Sequence, residues 1–287
     1  MKKVIKISII IYILFAFGLI SIAYGQNVSG VTDPASVSGV DDPASVSGVD
    51  RPAGGGFINT GYLEMNLGSN YNWDSNTDAS FDLIGRSDWS IGFWMQAQAW
   101  ASSDIVPLVN KVESSTVYFR LDLKNDGNFN VVNNTYQINI SAITTGMSLD
   151  TWYFIVIRND YNGGTPTHLV DMEIYINGVE KWSQSSNWGL YLENAGDLAF
   201  GYWSYRCFDG YVDELFIYDG LAISTTTIDS LYNSASDPTG MRDPQDYYLS
   251  NLVEHVKFDE GTGTEADGEL GVITAGTINN ASQWVTW

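Results

Sequence analysis

The sequence predicts an all-β fold, a two-sheet antiparallel jelly-roll sandwich with one short helix near residues 224–234. Three observations favour this fold. Apolar and polar side chains alternate with period two over several short segments. Polar turn residues separate these segments, and no strand–helix–strand rhythm is present. Aromatic residues, which favour strands, make up 14% of the 287 residues.

The strands are predicted from runs that end at turn residues. Asn125–Asn128 and the pair Asn177-Gly178 predict hairpin turns, because Asn, Asp and Gly accept positive φ angles. One of the runs, 152–157, is apolar on both faces, as a central strand would be. The predicted strand segments are 90–100, 117–124, 152–157 and 170–176.

One short helix is predicted after these strands. Ser224 is a suitable N-cap, and Ile228, Leu231 and Tyr232 fall on one helical face. Residues 236–251, with two prolines and a glycine, are interpreted as a polar linker. Strand patterning resumes in residues 252–287.

Residues 1–25 have the pattern of a secretory signal peptide. Three lysines precede an apolar run over residues 7–22, and residues 23–25 place small side chains at the cleavage-specifying positions. The alternative is a retained membrane anchor, for which the run is short. We therefore expect a protein that is secreted or at the cell surface, with no membrane span after signal cleavage.

Residues 26–56 contain a nine-residue repeat that begins at Ser29, Ser38 and Ser47. Each copy holds a proline, a glycine and no large apolar side chain, so it cannot bury enough surface to offset its ordering entropy. We interpret the segment as a disordered stalk. A calcium-binding nonapeptide solenoid is the alternative, with a bare minimum of copies.

Charge and cysteine content exclude several classes of site. The chain has 34 acidic and 13 basic residues and a formal net charge of −21, so nucleic acid repels it. Cys207 is the only cysteine, which rules out an internal disulfide and a thiolate zinc site. We interpret Cys207 as a small, half-buried apolar side chain.

The most specific motif is Phe208-Asp-Gly-Tyr-Val-Asp-Glu-Leu-Phe-Ile-Tyr-Asp219, followed by Leu221–Ser224 and Ile228–Tyr232. With it, residues 57–235 resemble the laminin G-like, concanavalin A-like jelly-roll modules of secreted bacterial proteins. These modules usually begin with a strand that reads Phe-Asp-Glu-Gly-x-Gly. Here that pattern occurs at Phe258–Gly263, so we expect 252–287 to fold back onto the sandwich. The alternative is a truncated second module.

Carboxylate spacing argues against catalysis. Glucanases that share the fold carry Glu-x-Asp-x-x-Glu on one strand, because glycoside hydrolysis needs two carboxylates in register. No such run is present, and His168 and His255 are the only histidines. We expect a protein that is not an enzyme.

Calcium is the predicted cofactor. Asp213 shares alternation with Leu215 and Ile217, which places a carboxylate on the expected core face, where it needs a partner or a metal ion. The resemblance implies that Asp267 approaches the same rim from the C-terminal segment. The alternative is that Asp213 accepts backbone N–H groups.

Mixed aromatic and polar segments predict a carbohydrate site, since sugars stack on rings and hydrogen-bond to polar groups. Structural packing of the rings is the alternative. The candidate rings are Trp188, Tyr191, Trp203 and Tyr205 in loops, and Trp94 and Trp100 on a sheet face with Gln96, Gln98, Tyr118, Arg120 and Tyr175.

These features together predict a secreted, non-catalytic lectin-like module that binds glycan or polysaccharide, with calcium as an expected ligand of the protein. A structural or adhesion module that binds surface proteins, or proteins in a virion, is the alternative. A divergent glycoside hydrolase is the third and least favoured hypothesis. Fold alone does not separate these three, because function depends on the site.

Overall fold

Two antiparallel sheets pack face to face around a shared apolar core. The chain divides into two units between Gly55 and Gly56, and the described residues all belong to the second. The predicted signal peptide (1–25) and stalk (26–56) lie outside them. The computed structural model describes residues 61–65, 72–74, 88–100, 105–113, 116–133, 138–161, 170–186, 198–203, 206–259, 266, 269–270, 277–279 and 284–286.

The described strands confirm the all-β prediction. They are β1 (Gly61–Met65), β2 (Asn72–Asp74), β3 (Trp89–Ala97), β4 (Ile105–Glu113), β5 (Thr116–Lys124), β6 (Phe129–Asn133), β7 (Ile138–Ile143), β8 (Trp152–Tyr161), β9 (Val170–Ile176), β10 (Val179–Ser186), β11 (Leu198–Phe200), β12 (Tyr202–Trp203), β13 (Arg206–Cys207), β14 (Gly210–Asp219), β15 (Leu252–Val256), β16 (Thr277–Asn279) and β17 (Trp284–Thr286).

The first sheet has the order β10-β9-β8-β3-β14-β1-β17, with β15 also paired to β14. The second has the order β16-β2-β11-β4-β5-β6-β7, and β12 and β13 form a separate pair. Between the sheets, the rings of Phe93 and Phe200 meet edge to face with centroids 5.0 Å apart. Trp89 and Phe119 do the same at 5.9 Å. Burial of such side chains supplies most of the driving force for folding.

A helix covers part of the outer face of the first sheet. Helix α1 (Thr225–Tyr232) begins where predicted, because the Ser224 Oγ accepts the Thr227 N–H at 3.1 Å. Asn233 ends it in the left-handed conformation. Ile228 and Leu231 are fully buried against the sheet.

The segment interpreted as a linker, 236–251, packs on the same outer face. Two 3-10 turns, Pro238–Gly240 and Pro244–Asp246, are capped by aspartates that precede them. The Tyr218 hydroxyl donates to the Pro244 carbonyl at 2.7 Å. Met241 is buried among the aromatic rings of the sheet. The composition that suggested a linker therefore belongs to an ordered covering layer.

The described parts of the C-terminal segment add strands to both sheets. β15 pairs with β14, β16 with β2, and β17 with β1. β1 and β15 lie end to end along one side of β14, since Val212 pairs with Leu63 and Leu215 pairs with Val256. Strands from both ends of the folded body thus complete the first sheet.

A β-bulge interrupts β14 where β1 gives way to β15. Glu214 has a φ angle of 53°, and pairing with β3 shifts register between Asp213 and Phe216. The extra residue reverses the alternation. Asp213 therefore pairs with Trp94, whose side chain lies in the outer cluster, while Leu215 faces the main core. The predicted core-face position of Asp213 is wrong for this reason.

Candidate functional site

Trp94, a predicted sugar-binding ring, is completely buried, at 0% exposure. Its indole N–H donates to the Met241 sulfur at 3.0 Å, and its ring lies 5.4 Å from Phe154 and 5.9 Å from Tyr232 between centroids. Helix α1 and the 236–251 segment supply this cover. A sugar cannot reach the ring, so the structure removes Trp94 from the candidate set.

The face predicted to join Trp94 with Trp100 is divided in the structure. β3 ends at Ala97, three residues before Trp100. Trp100 is partly buried against the main core, and its indole lies so close to Gly127 that a Cβ added to this glycine would be 3.1 Å from the ring. Arg120 belongs to β5 in the other sheet and pairs with buried Asp122 at 2.6 Å. Period-two alternation identified faces of strands but not which strands share a sheet.

The other predicted residues are not tested by the geometry. The structure describes the backbone of Trp203 in β12 but not its side chain. Trp188, Tyr191, Tyr205 and Asp267 lie outside the described residues. Their roles stay predictions.

A row of side chains crosses four neighbouring strands of the first sheet, two residues beyond Trp94 along β3. Glu64 on β1 pairs with Tyr211 on β14, Tyr211 with Gln96 on β3, and Gln96 with Trp152 on β8. Residues paired in this way share a face, with Cβ atoms about 5 Å apart. The row forms a continuous strip on the outer face of the sheet.

Three rings in and beside this row form an aromatic patch, defined here as Tyr62, Trp152 and Tyr211. Tyr62 lies 4.7 Å from Tyr211 and 5.5 Å from Trp152 between ring centroids, both edge to face. Trp152 and Tyr211 are 6.2 Å apart and tilted. Both tyrosines are half-buried, whereas Trp152 is 9% exposed and supports them. The arrangement leaves ring surface open to solvent on a rigid sheet.

Polar groups surround the aromatic patch. The exposed Gln98 side chain donates to the Tyr211 hydroxyl. The Gln98 N–H donates to the Asp209 carbonyl at 2.9 Å, and the Asp150 N–H donates to the Ala97 carbonyl at 2.8 Å, which brings the loops before β14 and β8 to the same end of β3. The patch therefore has amide and carboxylate groups within reach of its rings.

The acids and tyrosines at this end influence one another. Burial raises the pKa of Glu64, and Asp209 raises it further. Burial also raises the pKa of Asp209. The pKa of Tyr211 is raised by burial and by Glu64, Asp150 and Asp209, against the lowering effect of the Gln98 hydrogen bond. Burial is the largest cause of each shift, and the smaller effects of Glu64, Asp150 and Asp209 on Tyr211 show that three acidic groups lie near its hydroxyl.

A buried polar cluster lies beside the bulge in β14. The Glu214 carboxyl meets the His255 imidazole, with Oε2 and Nε2 2.6 Å apart and both side chains fully buried. Burial, then Asp213 and Asp259, raise the pKa of Glu214 well above its usual range, which outweighs the opposing effect of Lys257. Burial and Lys257 lower the pKa of His255 to about 3. The cluster ties β15 to β14.

The predicted calcium ligands do not form a site within the described residues. Asp213 is fully buried, and its Oδ1 accepts the Glu214 N–H at 3.0 Å, which is the alternative interaction weighed for it. Among the residues described, no group of three His, Cys, Asp or Glu side chains converges to hold a metal ion. Since Asp267 lies outside them, the calcium site stays a prediction.

A comparison with protein families decides the class of the chain. A profile described as the concanavalin A-like lectin/glucanase superfamily matches residues 67–229, more than half of the sequence. The chain belongs to this superfamily. The resemblance inferred from residues 208–232 is thereby confirmed, and the lectin/glucanase match includes Trp152 and Tyr211 but not β1 or β15–β17.

Solved structures of similar fold come from several sources. A heptameric SAP-like pentraxin from Limulus polyphemus is 14% identical with a TM-score of 0.48, over 71% of this chain and 94% of that one. Domain 4 of an extracellular arabinanase from Geobacillus stearothermophilus, in complex with arabinotriose, is 16% identical with a TM-score of 0.39, over 54% and 68%. The binding domain of Paraclostridial Mosquitocidal Protein 1 is 21% identical with a TM-score of 0.43, over 60% and 45%. No curated protein sequence matches this lectin/glucanase-superfamily chain.

Reasoning from the sequence missed all three rings of the aromatic patch and named only its polar neighbours Gln96 and Gln98. Tyr62 precedes the family match, and Trp152 and Tyr211 were read only as parts of fold motifs. Their convergence depends on β1, β14, β3 and β8 being neighbours, which alternation alone does not specify. In the described part of the chain, no helix has the length and apolar character to cross a membrane.

Proposed function

We propose that the chain is a secreted, non-catalytic carbohydrate-binding module that holds a glycan on the aromatic patch. One observation carries this proposal: the half-exposed rings of Tyr62 and Tyr211 lie on one rigid face beside amide and carboxylate groups. Sugar C–H faces pack on such rings while hydroxyls bond to the polar groups. Export through residues 1–25 and a requirement for calcium belong to the proposal.

The arrangement suits binding on a preformed surface. Each ring is fixed by its neighbours, so little side-chain entropy is lost when a sugar docks. Trp152 is held by the backbone of β8 and by both tyrosine rings. The large apolar side chains exposed in the described residues are Leu149 and Leu249, which lie in turns, and Val179, which begins β10, so they are separate in the chain. A glycan fits this surface better than an apolar protein partner does.

The test is capture of the purified protein on a polysaccharide panel, with calcium and with a chelator. We expect saturable capture. Tyr211→Ala and Tyr62→Ala should each weaken it about five- to thirtyfold, because ring stacking contributes on the order of 1–2 kcal/mol. Tyr211→Phe retains the ring and should retain most of the binding.

Tyr161→Ala is the matched control, since Tyr161 is half-buried at the opposite end of β8 from Trp152. Equal binding by Tyr161→Ala, Tyr62→Ala and Tyr211→Ala would place the glycan elsewhere. Absence of capture in either buffer would overturn the glycan function. Loss of capture on chelation would support the calcium requirement.

A further inference from the structure

Three acidic side chains come to the aromatic patch from three different elements. Glu64 lies on β1 in the same row as Tyr211. Asp209 precedes β14, and its carbonyl accepts N–H groups from Gln98 and Ala99. Asp150 lies two residues before Trp152, the member of the row on β8. Their placement follows from the strand register, so the negative charge at the patch is a property of the fold.

The described cations with ion pairs lie elsewhere. Arg158 is at the far end of β8 from Trp152 and contacts Asp160 and Glu173 at 2.6 and 2.9 Å. Three further pairs among the described residues join Arg120 to Asp122, Lys124 to Asp126 and Lys257 to Glu269. Each of these cations is matched by a carboxylate of its own neighbourhood. The groups that shift the pKa of Tyr211 are, apart from burial and Gln98, all acidic.

We infer, on the basis of the proposed function, that the aromatic patch selects glycans by their charge. It binds amine-bearing chains most tightly, neutral chains less tightly, and uronic or sulfated chains least tightly. The rings bind the sugar faces of every chain alike. Glu64, Asp209 and Asp150 then attract an ammonium group and repel a carboxylate or sulfate. A cation above the face of Tyr62 or Tyr211 gains a further electrostatic contact with the ring.

The expected selectivity is modest and depends on salt. One charge about 10 Å from one carboxylate near a protein surface changes affinity by about three- to tenfold at low salt, and screening removes most of this at high salt. A spread of at least tenfold between amine-bearing and uronic chains is therefore expected in dilute buffer. The spread should contract in about 1 M salt.

The test uses three hexasaccharides with one β-1,4-linked gluco backbone: glucose, glucosamine and glucuronate. Their affinities for the purified protein are measured by calorimetry at about pH 6, where the amines carry charge. We expect the order glucosamine, glucose, glucuronate. Glu64→Gln should reduce the spread about three- to tenfold, whereas Glu180→Gln, an exposed acid on the β10 edge of the same sheet, should leave it unchanged.

Each outcome separates this inference from the proposed function. Glucuronate binding equal to or tighter than glucose overturns the inference, while loss of binding in Tyr211→Ala would still support the glycan site. If none of the three chains binds, the inference falls, and the polysaccharide panel decides the proposed function separately. Should Glu64→Gln fail to fold, Asp209→Asn removes a charge from a different element and repeats the test.

Discussion

Glu214→Gln should leave the protein at least nearly as stable as the wild type at neutral pH, although Glu214 is fully buried and contacts a histidine. The raised pKa of Glu214 and the lowered pKa of His255 predict a neutral carboxyl group that donates its O–H to a neutral imidazole across the 2.6 Å contact. A glutamine side chain has the same shape and also donates to Nε2.

The magnitude separates this neutral pair from an ion pair. Exchange of one neutral hydrogen bond for another costs less than about 1 kcal/mol, whereas removal of one partner of a buried ion pair costs about 3–5 kcal/mol. For a body of this size, 1 kcal/mol corresponds to about 2–4 °C in Tm. We therefore expect Glu214→Gln to lower Tm by less than about 4 °C, and His255→Ala, which removes the acceptor, by more.

The dependence on pH has a definite sign. Because the native pKa of Glu214 lies above its usual value, its contribution to stability is complete below about pH 4.5 and is lost as pH rises through the native pKa. His255, with a native pKa of about 3, destabilises the fold as pH falls from about 6.5 toward 3. The Glu214→Gln variant should therefore not lose stability as pH rises, but it should still lose stability at acid pH through His255.

Urea unfolding between about pH 5 and pH 9 measures both effects, with m-values checked for constancy. A loss of more than about 3 kcal/mol in Glu214→Gln at pH 7 would show a charged pair and refute the neutral assignment. The neutral assignment would also be refuted if the free energy of unfolding fell by the same amount toward pH 9 in the wild type and in Glu214→Gln.

Four further perturbations test the fold. Deletion of 252–287 should expose one side of β14 and lower Tm sharply or cause aggregation; an unchanged melting curve would contradict the pairing of β15 and β17. Gly92→Ala should lower the free energy of unfolding in urea by about 1–3 kcal/mol, because the new alanine Cβ would lie 2.0 Å from the Phe216 ring. Phe216→Leu should relieve part of that cost, and additive losses in the double variant would argue against this clash. Ser224→Ala should lower the free energy of unfolding by about 1 kcal/mol, because the N-cap hydrogen bond of helix α1 is lost. Equal urea midpoints for this variant and the wild type would contradict a stabilising role of the cap. Trp94→Phe should lower Tm without changing glycan capture, and a selective loss of capture would return Trp94 to the site.

The class of fold was predictable because it depends on local signals. Period two, turn residues and the 208–232 motif each identify a strand or turn without knowledge of its neighbours. Helix α1 was predictable for the same reason, since the Ser224 cap and the Ile228 face are both local in sequence. The family match confirms the class from independent information.

The candidate site was harder to predict because it depends on order between strands. One inserted residue at Glu214 reverses which side chains of β14 face the core, and nothing in the local sequence marks that bulge. Trp94 was assigned to an open face because the covering segment 236–251 reads as a linker. Tyr62 and Trp152 meet only after β1 and β8 take their places on either side of β14 and β3.

The pairing of Gly61 with Thr286 has a consequence for the order of events during folding. This contact closes a loop that contains almost the whole folded body, so it is among the most non-local contacts in the protein. β1 is the first of the described strands and β17 the last, so β1 cannot gain this neighbour until the C-terminal strand is available. Until then β1 presents an open edge that can pair with other chains. Folding yield should therefore respond more to protein concentration and to chaperones that cover strand edges than to local helix or turn stability.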